Sequence, residues 1–132
     1  MLSTQVISAA VSLQRSMYMS LTEVDELTTE LSEAVNRQDQ VSVQIFLSMR
    51  QEPINRLQAL KAQVEKQCAQ LPPSEGALLR DILNGQGTPS NPQEEELTRL
   101  VEKNRGLLSR IVRADRRISQ RLGGTHSFYS DH

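Results

Sequence analysis

Histidine, cysteine and converging charges do most of the chemistry that side chains can do, and this chain uses the first two sparingly. His126 and His132 are its only histidines. With Asp131 they are metal-ligand types, but all three fall in a terminal stretch that no regular element holds in fixed geometry, so no metal site is expected. Cys68 is the single cysteine and has no partner for an internal disulfide. It sits at an inward position of a helical pattern, where a small buried thiol fits. The stretch GQGTP lacks both the lysine and the preceding strand of a phosphate-binding loop. Catalysis between helices would need acidic and basic groups converging from several of them. Only Arg50 and Lys61 lie near the seam of the second helix, so no catalytic residue and no cofactor is expected.

Charge is more informative. Residues 1–40 hold two arginines against six carboxylates, a net of −4, whereas residues 97–122 hold eight Lys or Arg against Glu102 and Asp115, a net of +6. Two readings stand: helix faces of opposite sign lying side by side, or a basic helix that acts as a contact surface. Nucleic acid is a poor match, because the basic residues alternate with apolar ones, the helix has no aromatic to stack on bases, and the whole chain is at −1.

These residues must be positioned by helices. No apolar run exceeds three residues, far short of the about 20 a membrane span needs. The start has no basic residue before Arg15 and no continuous apolar segment, so it does not read as a secretory leader. With Val6 at position a, a heptad seam runs Val6, Ala10, Leu13, Met17, Ser20, Val24, Leu27, Leu31, Ala34, broken only by Ser20. NRQDQ turns the chain, with Asp39 as a helix cap. A second helix runs from about Val41 to Ala69 with Val43, Phe46 or Leu47, Ile54, Leu57, Leu60, Val64 and Cys68 inward. Pro53 falls inside it and predicts a kink or a break, and the helical pattern continuing in phase across it favours the kink. Ser74 is placed to cap a short third helix. Asn91, Pro92 and Glu94 spell a capping box for the last helix, whose seam is Leu97, Leu100 or Val101, Asn104, Leu107 or Leu108, Ile111, Ala114, Ile118 and Leu122. Gly123 and Gly124 end it. The expected fold is all-α, an antiparallel bundle or extended coiled coil of three long helices and one short one. Residues 1–122 form one domain and 123–132 a flexible tail.

Asn104, one heptad from both Leu97 and Ile111, reads either as a register-setting buried amide or as a polar contact left for a partner. Phe128 and Tyr129 supply half of the chain's four Phe and Tyr, beyond the glycines. They are a frayed end, a fold-back onto the bundle, or anchors for a partner.

Two stretches, LSEAVNRQDQVSVQIFLSMRQEPINRLQAL and LTRLVEKNRGLLSRIVRADRRISQRLGG, make the chain resemble the flagellar export chaperones of the FlgN type. Members similarly join a long first helix, a leucine-bearing middle and a late helix with an Asn before paired leucines, and many end in a short tail with Tyr or Phe-Tyr. Pro53 departs from the smooth second helix expected of them. The resemblance implies a cytoplasmic chaperone of type III export that binds the helical termini of hook–filament junction proteins, prevents their early assembly and delivers them to the export gate. It implies that substrate binds the last helix and tail, here Asn104, Leu107, Leu108, Ile111, Ile118, Leu122 and Tyr129, with Phe128 beside them. Detachment of the last helix would turn its apolar stripe into a docking surface. The alternative is a structural coiled-coil adaptor or self-oligomerising module with no flagellar role.

Overall fold

The computed structural model describes residues 2–123 and is all-α: α1 Thr4–Asn36, α2 Gln40–Gln70, α3 Pro73–Leu83 and α4 Pro92–Arg121. At about 1.5 Å per residue the three long helices are rods of roughly 45–50 Å. Phe128 and Tyr129, the two histidines and the expected flexible tail beyond Gly123 lie outside the described residues.

Local chemistry explains the boundaries. Ser3 caps α1, its hydroxyl accepting from the Val6 amide at 3.2 Å. The helix closes with Gln38 in the left-handed region, φ 60°, while the Asp39 and Gln38 amides donate to Ala34 and Val35 carbonyls. Asp39 caps α2 as expected, accepting from the Ser42 amide at 3.1 Å. For α4, Asn91 Oδ1 accepts from the Glu94 amide at 2.9 Å and Glu94 reaches back to the Ser90 amide at 3.2 Å. This is the predicted capping box displaced by one residue on its return arm. Gly123, at φ +87°, stands where α4 stops.

One expectation changes, and at Pro53 the two alternatives narrow to one. Ser74 does not cap α3; the cap residue is Pro72 and makes no side-chain bond, because Pro73 occupies the first helical position and starts the helix earlier. α2 is one helix through Pro53, not two. Its inward register persists on both sides, with Val43, Arg50, Ile54 and Cys68 buried.

α1 is the central element. α2 runs antiparallel to it, with Gln67 against Val6 and Arg50 against Thr28. α4 runs parallel to it, with Asn104 against Gln14 and Arg121 against Asn36. α3 and the following loop carry the chain back across the end of the bundle. Gripped on two sides, α1 buries a wider stripe than a two-helix seam: Ile7, Val11, Gln14, Leu21, Thr28 and Val35 join the predicted positions.

Along the bundle axis apolar and polar layers alternate. At the α3 end Ile7, Leu79, Ile82, Leu97 and Val101 form one cluster. Leu21, Val24, Ile54 and Ile111 form the middle one, and Leu31, Val35, Val43 and Ile118 the far one. Between the first two lies Gln14–Asn104, and between the second and third Thr28–Arg50–Asp115.

Candidate functional site

The backbones of α2 and α4 both approach that of α1 but stay apart from each other: no Cα of one comes within 8 Å of the other. The gap between them is a groove of about 320 Å³. Met17, Leu21, Leu57, Val64, Val101 and Leu108 make its surface mostly apolar, and the end of α3, through Leu83 and Asn84, lines one end of it. Leu108 faces this groove at 38% exposure. Lys61, Arg80 and Arg105 also line it, against one carboxylate, Glu65. All three cations are exposed and none has an ion pair among the described residues.

Beyond the groove a polar layer crosses all three long helices. Arg50 extends from α2, and its Nη1 donates to Asp115 Oδ1 on α4 at 3.1 Å and to Thr28 Oγ1 on α1 at 2.9 Å. The Thr28 hydroxyl in turn donates to the Val24 carbonyl at 2.7 Å. Thr28, Arg50 and Asp115 are only 1%, 2% and 0% exposed. A long guanidinium side chain bridges the helices without drawing their backbones together. Sealed from solvent, this cluster offers no approach for a substrate and serves as a structural cross-link. Asn104 makes the second tie, its Nδ2 donating to both Gln14 O and Gln14 Oε1 at 2.9 Å.

The residues singled out in the sequence therefore separate. Asn104, Ile111 and Ile118 are buried: Asn104 is bonded to Gln14 and stands in the groove's lining, and Ile111 and Ile118 belong to the middle and far apolar clusters. Leu107 is half-buried against the middle cluster, which decides the Leu107-or-Leu108 seam in favour of Leu107. Leu108 opens into the groove. Leu122 is half-buried at the opposite end, where it lines a polar depression of about 820 Å³ with Asn36, Gln38, Gln40, Gln44 and Arg121. Asp115 and Thr28 are functional parts of the frame that the sequence reading did not single out. The signal was there: Asp115 lies four residues after Ile111 and three before Ile118, and Thr28 has the same relation to Val24 and Leu31.

The opposite charges of α1 and α4 do lie side by side, joined by Arg110 to Asp25 and crossed by Arg15 to Glu96. The Asp25 carboxylate raises the Arg110 pKa. Lys103 sits 4.4 Å over the Tyr18 ring. Arg99, Arg105, Arg116 and Arg117 are exposed with no ion pair among the described residues. Cys68, 3% exposed, borders the groove; burial pushes its thiol pKa up, with the Arg80 charge opposing. No group of three or more His, Cys, Asp or Glu among the described residues is arranged for a metal. No helix among them is long and apolar enough to cross a membrane. Compared with known proteins, the chain matches no family model, no curated protein and no solved structure.

Proposed function

We propose that this protein is a cytoplasmic chaperone of flagellar type III export that holds an amphipathic helical terminus of a hook–filament junction protein and carries it to the export gate. The single observation behind this reading is the open α2–α4 groove: a mostly apolar seat walled by helices. A substrate helix would lay its apolar face there as a further helix of the bundle. Such binding is reversible and uses no nucleotide or metal. It leaves α4 seated, because exposing Ile111 and Ile118 by detaching that helix would break both polar layers. Phe128 and Tyr129 add anchors beyond the helix.

Co-purification with a hook–filament junction protein tests the reading. Capture that is lost with Leu108→Asp and weakened by removing residues 124–132 supports it; no capture by the intact chain sinks it. A second reading, a self-associating adaptor, draws on one observation. Val41, Ile45 and Met49 form an i, i+4, i+8 stripe on the outer side of α2, at 72%, 51% and 51% exposure. A homo-oligomer that Ile45→Glu dissociates, with no capture of junction proteins, favours it.

A further inference from the structure

We infer that the α2–α4 groove selects a helix that carries carboxylates beside its apolar stripe. The inference rests on the proposed function only in taking a helix as the occupant. Charge makes the choice. Lys61 on α2, Arg80 on α3 and Arg105 on α4 come from three elements to one apolar groove, and only Glu65 opposes them. None pairs an acid among the described residues.

Their positions suit a ligand. Arg80 lies in the last turn of α3, where its charge also suits that helix's carbonyl end. The Arg105 guanidinium lies against Gly85, whose φ of +74° turns the chain out of α3; a Cβ there would occupy its place. Arg105 is thus laid along the rim of the groove. A bound helix that buries leucines on Leu57, Val64 and Leu108 brings its flanking residues to these three cations. Glutamates there gain attraction, and lysines meet repulsion, which confers selectivity more than raw affinity.

The probes are two fluorescent helical peptides of about five turns with one leucine stripe, flanked by Glu in one and by Gln in the other. Fluorescence anisotropy at low salt should show the Glu peptide binding about three- to tenfold tighter. That ratio should approach one in Arg80→Gln/Arg105→Gln, and also in high salt. Leu108→Gln, at an already exposed site, should weaken both peptides alike. A ratio of one for the unmodified chain overturns the inference, as does a ratio unchanged in the double-arginine variant. Affinity that rises when residues 124–132 are removed makes the groove the seat of the chain's own tail, and a dimer dissociated by Leu108→Gln makes it the seat of a second copy; either overturns it. Junction-protein capture that survives Leu108→Gln while the peptides do not bind refutes the groove and leaves the export role. Acid-selective peptide binding without junction-protein capture refutes the export role and leaves the groove.

Discussion

Removing the Asp115 carboxylate probes the frame at its most sensitive point. Arg50 Nη1 and Asp115 Oδ1 are 3.1 Å apart with side chains 3% and 0% exposed. At an effective dielectric near 20, attraction at that distance is about 5 kcal/mol. Desolvating the two ions costs a similar amount, so the intact pair contributes little net stability. Losing one partner is different, because the guanidinium stays buried without that carboxylate. Asp115→Ala should therefore cost about 3–5 kcal/mol, a large share of the about 5–15 kcal/mol typical of a domain. The expected fall in Tm is about 10–20 °C. Thr28→Val, which removes a neutral member, should cost about 1–3 kcal/mol. Arg50→Met/Asp115→Leu should recover most of the loss and return to within about 1 kcal/mol of the parent or above it. Urea unfolding followed by far-UV circular dichroism, with an unchanged m-value, measures all four. An Asp115→Ala cost below about 1 kcal/mol would refute the reasoning. So would a double variant no more stable than Asp115→Ala alone.

Three further outcomes follow from the same structure. Asn104→Ala, which removes the amide that donates to Gln14 O and Oε1, should cost about 1–3 kcal/mol by urea unfolding. Gln38→Gly should raise stability by up to about 1 kcal/mol, since Gln38 holds φ 60°, whereas Gly85→Ala should lower it by about 1–2 kcal/mol; differential scanning calorimetry of the pair checks the opposite signs. Ser42 bonds hold the Asp39 carboxyl below its ordinary 3.8. A depressed carboxyl contributes stability that is fully present above the unfolded-state value and is lost as pH falls through the lowered one. The acid limb of the stability profile should flatten in Asp39→Asn, which keeps a capping oxygen without the titration; an identical limb in both proteins contradicts this.

Much of the fold was legible because helices announce themselves locally. The α1 heptad, the Asp39 and Asn91 caps and the Gly123 stop each depend on residues within a turn or two of one another. The Ser74 cap was misplaced by the neighbouring prolines, whose fixed φ starts a helix without a side-chain acceptor. The groove was not legible. Leu57 and Val64 read as ordinary seam residues and Leu108 as an alternative to Leu107 that only the resemblance made a binding residue; the spacing of α2 and α4 is what leaves them lining one groove. Arg50 lies near a seam in the sequence pattern, but its partner Asp115 stands among the charges of a basic helix. Nothing in one helix says which residue of another will stand opposite it.

Composition and pattern by themselves determined that the chain is all-α, with three long amphipathic helices, one short one and charge divided between its first and last thirds. Those properties follow from backbone hydrogen bonds within each segment and from the period of its apolar residues, and both are local. Tertiary structure alone decided that α1 lies between the other two long helices, that Thr28, Arg50 and Asp115 meet, that Gln14 is the partner of Asn104, and that Leu108 faces a groove. These depend on contacts between residues up to 90 positions apart. Their free energy comes from desolvation and packing across elements, which no single segment encodes.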